Sequence, residues 1–186
     1  MRILFAVVFS LTTVGLVMAT PVDDFWSSLS DLCDQAFEGQ VVQEPESESD
    51  FEGQRLVMHV RDCSDSRIRI PFVVGDDLSR TWVLTRHGER IELKHDHRNE
   101  DGTPEEVTMY GGTTTNANRA DIQYFPADEQ TREVIDYAFS NIWQMAIEPG
   151  ERFDYGVRRL GTPRVFLVEF DLTRSVEPPP APWGWE

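Results

Sequence analysis

Residues 80–98 read RTWVLTRHGERIELKHDHR and decide the fold class of this chain. Two runs of alternating side chains flank His87-Gly88, and a two-residue loop with glycine predicts a β-hairpin of residues 80–86 and 89–98. If Arg86 pairs with Glu89, alternation places apolar side chains on one face and charged side chains on the other face of the second strand. The apolar face is therefore expected to be buried, and it carries Trp82, Leu84, Ile91 and Leu93.

The buried face of this hairpin ends in a polar cluster. In the same register Arg80 faces His95, His97 follows on the same face, and Lys94 and Asp96 point to water. An arginine fork with histidine donors suits a carboxylate or phosphate, and histidines near their usual pKa of about 6.5 would make such a site pH-sensitive. The sequence therefore predicts a site for a small anionic or amphipathic ligand at a barrel mouth, formed by Arg80, Trp82, His95 and His97. The alternative is a structural pair of strand-end histidines that bond to neighbouring carboxylates.

A metal-dependent enzyme is the second hypothesis. His95-x-His97 offers two nitrogens from one strand face to Zn²⁺ or Fe, and Glu100 or Asp101 offers an acid. No histidine follows His97, however, and Arg80 places a cation beside the proposed metal. The chain also has no Gly-x-Ser-x-Gly motif and no phosphate-binding glycine loop. We therefore predict no catalytic residue and no cofactor, and a binding protein is favoured over an enzyme.

The rest of the chain predicts further short strands and little helix. An amphipathic helix is expected over residues 23–37, capped by Asp23 or Asp24, and a second short helix within residues 126–137. A second hairpin is expected over residues 51–75, with His59 on its outer face, and Gly111-Gly112 marks a bulge or a close backbone approach. Other predicted strands cover 106–114, 121–125, 141–147, 152–160 and 164–172. About eight strands predict a mainly β protein, either an antiparallel barrel or a two-layer sandwich.

The two ends of the chain do not show the strand pattern of the β-rich part. Residues 1–19 combine Arg2, a short apolar run and a small residue at Ala19, which predicts a secretory signal peptide and an exported protein, periplasmic or extracellular. A single β-rich domain follows over 20–176, and residues 177–186 form a tail rich in proline and tryptophan. This tail either packs its tryptophans on the body or docks on another protein, which would suit an interaction module of the cell envelope.

The charge balance excludes some partners. The chain carries 17 Lys and Arg against 33 Asp and Glu, a net charge of −16. Because phosphates must be met by cations, this excess argues against nucleic acid and anionic membrane surfaces as partners. No segment is apolar for long enough to predict a membrane span.

Cys33 and Cys63 are the two cysteines of the chain. Export places them in an oxidising compartment, so a disulfide is the simplest expectation, and two free buried thiols are the alternative. In the second hairpin, pairing of Asp62 with Ser66 places Cys63 at the turn, within reach of the helix that carries Cys33. The chain-entropy model gives such a disulfide a contribution of about 3–4 kcal/mol.

Six short segments carry a resemblance to known sequences. They are RLVMHVRDC (55–63), IPFVVG (70–75), SRTW (79–82), KHDHR (94–98), YGG (110–112) and APWG (181–184). Together they resemble a family of uncharacterised bacterial secreted proteins over nearly the whole mature chain. The resemblance implies an exported bacterial protein and brings with it no activity, ligand or catalytic residue.

Overall fold

In the computed structural model, which describes residues 18–45, 51, 53–115 and 119–185, eleven strands form one antiparallel sheet. The predicted signal peptide therefore lies almost entirely outside the described residues. The helical elements are α1 (Pro21–Ser30), α2 (Glu129–Val134) and a 3-10 turn (Asp136–Ala138). The strands are β1 (Ala36–Gln43), β2 (Leu56–His59), β3 (Asp62–Cys63), β4 (Arg67–Val74), β5 (Asp77–His87), β6 (Arg90–His97), β7 (Tyr110–Thr113), β8 (Ile122–Pro126), β9 (Asn141–Glu148), β10 (Arg152–Arg159) and β11 (Val165–Asp171).

The sheet closes into an up-and-down barrel. Its strand order is β7-β6-β5-β4-β2-β1-β11-β10-β9-β8, with β3 added on β4, so nearly every strand pairs with its neighbours in sequence. The first and last strands, β1 and β11, form a ladder that includes Gly39 opposite Phe170 and has a register shift between Val41 and Gln43. At the other seam one bridge joins Gly112 of β7 to Ala127, the residue that follows β8. The mainly β prediction is confirmed, and of its two architectures the barrel is the correct one.

The central hairpin has the predicted faces but a different register. His87 pairs with Arg90 around a Gly88-Glu89 loop, so Trp82 lies opposite His95, and Arg80 lies opposite His97. The positive φ of Gly88, 62°, stands at the first loop position, as a type II′ turn requires. The predicted pairing of Arg86 with Glu89 was wrong by two residues. Because faces repeat every two residues, the predicted inner face is unchanged.

The far end of the outer face of β6 is covered, contrary to the prediction that Lys94 and Asp96 point to water. Each of these side chains is only 8% exposed. Lys94 Nζ lies 2.5 Å from the carboxylate of Asp128 at the start of α2, and Asp96 accepts from Arg98 Nε at 3.0 Å. These two side chains are therefore buried on the outer face, each in an ion pair, whereas Arg90 at the start of β6 is exposed.

Helix α1 closes one end of the barrel. It is capped by Thr20, whose hydroxyl accepts from the Asp23 N–H while the Asp23 carboxylate accepts from the Thr20 N–H, so the predicted cap at Asp23 or Asp24 was wrong. The helix ends at Ser30 rather than at residue 37, because Ala36 already begins β1, a strand that the sequence did not predict. Its buried side chains are Val22, Phe25, Trp26 and Leu29. No helix in the described part of the chain is long and apolar enough to cross a membrane.

The predicted disulfide between Cys33 and Cys63 is present, with 6.4 Å between the two Cα atoms. It ties the turn after α1 to β3. The register of this hairpin differs from the expected one, because Asp62 pairs with Arg69 rather than with Ser66. Strands β2 and β3 are separated at residues 60–61, and this break shifts their pairing with β4 by one residue.

The C-terminal tail packs on the outside of the barrel. The Trp183 N–H donates to the Leu78 carbonyl at 3.2 Å, and the Arg69 guanidinium lies 4.2 Å from the centre of the Trp185 ring. Gly184 approaches Gly102 so closely that a Cβ at Gly102 would lie 2.6 Å from the Gly184 Cα. These contacts are those expected if the tail packs its tryptophans on the body.

Candidate functional site

A cavity of about 220 Å³ lies inside the barrel, at the end opposite α1. Strand β5 shows this polarity, since Arg86 near its end forms an ion pair with Asp23 of α1, whereas Arg80 near its start lines the cavity. The 3-10 turn and the turn between β10 and β11 flank the mouth. Eight aromatic side chains contribute to the lining: Phe51, Phe72, Trp82, Tyr110, Tyr137, Trp143, Tyr155 and Phe166.

Stacked rings from three strands form one wall of the cavity. Phe72 of β4 stacks on Trp82 of β5 with ring centres 4.8 Å apart, and Trp82 stacks on Tyr155 of β10 at 4.2 Å. Each of these residues points inward because it occupies an alternate position on its strand. Stacked pairs add to the free energy of burial, so this wall is a firm aromatic surface.

His95 is a buried hydrogen-bonding link between two tyrosines. Its Nδ1 lies 3.0 Å from the Tyr110 carbonyl oxygen and its Nε2 lies 2.6 Å from the Tyr155 hydroxyl. Because a carbonyl oxygen only accepts, Nδ1 carries the proton, and Nε2 accepts from the Tyr155 hydroxyl. Burial is the main cause that lowers the pKa of His95 to about 3. The ring is therefore neutral at pH 7.

His97 occupies a similar environment nearer the mouth. Its Nε2 lies 3.1 Å from the Tyr110 hydroxyl, and its Nδ1 lies 3.9 Å from Glu105. Burial, followed by the nearby charge of Arg80, lowers the pKa of His97 to about 4. The expectation of a histidine pair near pKa 6.5 was therefore wrong, because both rings lie in a low-dielectric interior.

Positive charge at the mouth comes from arginines. Arg80 forms an ion pair with Asp77 and lies 6.0 Å from the centre of the Phe51 ring. Arg159 lies 4.9 Å from the centre of the Tyr137 ring, and its Nε donates to Asn141 Oδ1 at 3.0 Å. A third arginine, Arg164, also lines the cavity. The mouth therefore presents cations beside aromatic rings.

The structure brings the four predicted ligand-site residues, Arg80, Trp82, His95 and His97, to the same cavity. The sequence pattern did not predict Arg159, Arg164 and Asn141 as site residues. Asn141 and Arg159 belong to strands far away in the chain, and Arg164 directly precedes β11. One signal was available for Arg159. Alternation from Tyr155 through Val157 places Arg159 on the inner face and Arg158 on the outer face.

The residues present do not fit a metal site at His95 and His97. Both ring nitrogens of His95 are engaged by Tyr110 and Tyr155, so neither is available as a ligand. The proposed acids Glu100 and Asp101 lie in an exposed turn. His59 pairs with Ala36 on β1 and does not line the cavity, as its predicted outward direction implied. Across the described ranges, no cluster of three or more His, Cys, Asp or Glu side chains is placed to hold a metal ion.

Comparison with known proteins adds little to this description. No family model matches the chain, and no curated protein matches its sequence. A crystal structure of a mutant of the fluorescent protein UnaG aligns with 83% of this chain and 89% of its own, at 9% sequence identity and a TM-score of 0.31. At that score the alignment supports no conclusion, so the proposals below rest on the barrel and its cavity.

Proposed function

We propose that this protein is an exported binding protein that holds a small amphipathic anion in the cavity of its barrel. One observation carries the proposal: a cavity of about 220 Å³ has aromatic walls and three arginines at its lining, Arg80, Arg159 and Arg164. Small-molecule sites commonly combine apolar and aromatic walls with a few polar groups that fix orientation. The cavity has both kinds of group: the aromatic side chains form its walls, and the arginines lie at its mouth.

The walls favour the apolar part of a ligand. Trp82 is 2% exposed and Trp143 is 2% exposed, so their rings are held within the barrel rather than at its surface. Apolar area that a ligand buries against such walls stabilises the complex by roughly 25 cal/mol per Å² before the costs of association. The apolar end of the ligand therefore lies inside the barrel.

The arginines favour an acidic head at the mouth. The histidines are neutral at pH 7, so they supply hydrogen-bonding groups but no charge. Arginine offers a planar set of donors that matches a carboxylate, and a charge-assisted hydrogen bond is about twice as strong as a neutral one. In a chain with net charge −16, residues 155–168 contain three arginines and no acid, and two of these arginines, Arg159 and Arg164, line the cavity, whereas the charge of Arg80 is already paired with Asp77.

Exposed apolar side chains lie in the two loops that flank the same mouth. Tyr137, Phe139 and Leu160 are 64%, 62% and 56% exposed. Their loops adjoin, since the Leu160 N–H donates to the Ser140 carbonyl at 3.0 Å. An exposed apolar patch rimmed by polar groups is typical of a site where a ligand or partner is received.

The test uses phenylacetate and octanoate as probes on the mature chain, with tryptophan fluorescence and calorimetry as readouts. We expect binding of at least one acid, and we expect Arg159→Gln to weaken it about tenfold because a charge-assisted hydrogen bond is lost. Arg158→Gln is the matched control, because Arg158 is the exposed neighbour on the outer face of β10. Its affinity should stay within about twofold of the unmodified protein. Absence of binding by both acids, or equal effects of the two substitutions, would contradict the proposal.

A further inference from the structure

We infer that the ligand is a single-ring aromatic carboxylate. This inference rests on the proposed function and narrows it to one chemical class. It follows from the volume of the cavity, the arrangement of its rings and the position of one arginine.

Volume sets the size of the ligand. A buried apolar cavity of about 150 Å³ holds benzene, and a water molecule takes about 30 Å³ in the liquid. The cavity of about 220 Å³ therefore has room for one ring together with a group the size of about two waters. A carboxylate on a short linker has that size, whereas a long alkyl chain or a fused polycyclic ligand exceeds it.

The rings favour a flat ligand. His95 stacks on Tyr110 with ring centres 4.7 Å apart and planes 10° apart, and Trp82 stacks on Tyr155 with planes 25° apart. The two pairs are joined, since His95 bonds to the Tyr155 hydroxyl and to the Tyr110 carbonyl. Walls held in this way do not adapt to a flexible chain. A planar ring makes aromatic contacts with the parts of these rings that line the cavity, and it loses little conformational entropy on binding.

Arg159 is the best placed partner for the carboxylate. Its guanidinium lies over Tyr137, and the bond to Asn141 uses Nε, so the orientation of the group is already fixed. Within the described ranges no carboxylate forms an ion pair with Arg159, whereas Arg80 is already paired with Asp77. The terminal nitrogens of Arg159 therefore offer a pre-oriented edge to an incoming acid.

Four probes separate the parts of this inference, each tested on the mature chain of residues 20–186. They are phenylacetate, cyclohexylacetate, 2-phenylethanol and dodecanoate, and calorimetry measures each dissociation constant. We expect phenylacetate to bind tightest. Cyclohexylacetate, with its saturated ring, should bind about 2- to 10-fold more weakly, because aromatic contacts with the walls are lost. The neutral alcohol 2-phenylethanol should bind about 10- to 100-fold more weakly than phenylacetate, because the charge-assisted hydrogen bonds are lost. Dodecanoate should bind most weakly, because it exceeds the cavity.

Filling the cavity provides a second test. Val157 lines the cavity and is 8% exposed, so Val157→Phe should lower the affinity for phenylacetate at least tenfold. Ala138→Leu repeats the test from the 3-10 turn, and Val42→Phe is the control, because Val42 is 46% exposed on β1. Thermal unfolding of each variant shows that the barrel is intact. If one cavity variant does not fold, the other decides the result.

The outcomes distinguish this inference from the proposed function. If dodecanoate or cyclohexylacetate binds tighter than phenylacetate, the aromatic class is wrong while an anion-binding barrel remains. If 2-phenylethanol binds as tightly as phenylacetate, the role of Arg159 is wrong. If no acid binds, the proposed function fails and this inference fails with it.

Discussion

At the scale of single residues, burial decides what His95 and His97 can do. Both rings face inward, and desolvation keeps them neutral at pH 7. A neutral histidine offers one donor and one acceptor, and His95 uses both to position two tyrosines. Burial likewise raises the pKa of Tyr110 to about 12, so its hydroxyl also stays protonated. The positive charge that an anionic ligand would need must therefore come from the arginines.

The neutral histidines make the stability of the barrel depend on pH. The pKa of His97 is about 4 in the folded protein against the ordinary histidine value of 6.5, so the unfolded chain binds more protons between these values. Stability therefore falls as the pH drops from 6.5 towards 4. We expect His97→Gln to reduce this slope by about 1 kcal/mol per pH unit, as measured by urea unfolding at pH 6.5, 6.0, 5.5 and 5.0.

His87→Gln is the control for this prediction. The His87 side chain is 59% exposed on the central hairpin, so its removal should leave the slope unchanged. Equal slopes for the two variants would show that the pKa of His97 is not lowered in the folded protein.

At the scale of elements, the weakest seam of the barrel is held by a helix rather than by a ladder. Strands β7 and β8 share one bridge, but α2 adds further bonds to β7. The Thr131 hydroxyl accepts from the Gly111 N–H at 2.6 Å and donates to the Gly111 carbonyl at 2.7 Å. The Asp128 N–H donates to the same carbonyl at 3.0 Å. The close backbone approach predicted for Gly111-Gly112 is confirmed, and it is what brings α2 to the seam.

Gly112→Ala should open this seam. A Cβ at this position would lie 1.8 Å from the Pro126 carbonyl oxygen, a distance that no backbone tolerates. We expect a loss of about 2–3 kcal/mol or more in the free energy of unfolding, measured with urea. Gly150→Asn is the control, because nothing lies within 4 Å of a Cβ there and asparagine accepts its φ of +75°. Similar stabilities of the two variants would mean that the seam relaxes without cost.

At the scale of the whole molecule, the two ends of the barrel differ in kind. Helix α1 and the disulfide close one end, whereas the other end is open to an arginine-lined cavity.

The start of α1 also bears on the predicted signal peptide. The Thr20 nitrogen lies 2.6 Å from the Asp23 carboxylate, whose pKa is lowered to about 2. Cleavage after Ala19 would place the new amino group on this carboxylate.

The mature protein should therefore begin at Thr20. When the full chain is expressed in a bacterial host, we expect N-terminal sequencing of the exported protein to read Thr20-Pro21. The intact mass should correspond to residues 20–186 with the disulfide formed. A protein that keeps Met1, or that is cut inside α1, would contradict the predicted signal peptide.

Local patterns were enough to predict the faces and most of the elements. Alternation along the strands identified the inward direction of Trp82, His95 and His97, because side chains of a strand change face at every residue. It also predicted the bounds of β9, β10 and β11 to within one residue at each end. Register was less certain, since a two-residue shift of the central hairpin leaves every face unchanged.

The sequence by itself therefore determined a mainly β fold, the Cys33–Cys63 disulfide and four residues on one inner face. Tertiary structure alone decided that the sheet closes, because closure needs both the pairing of β1 with β11, from opposite ends of the domain, and the bridge between Gly112 and Ala127. It also decided that Lys94 is buried, since α2 covers it from 34 residues further along the chain. In the same way it brought Arg159 to the cavity of His95, because contacts between distant strands are set by the closed barrel and not by local sequence.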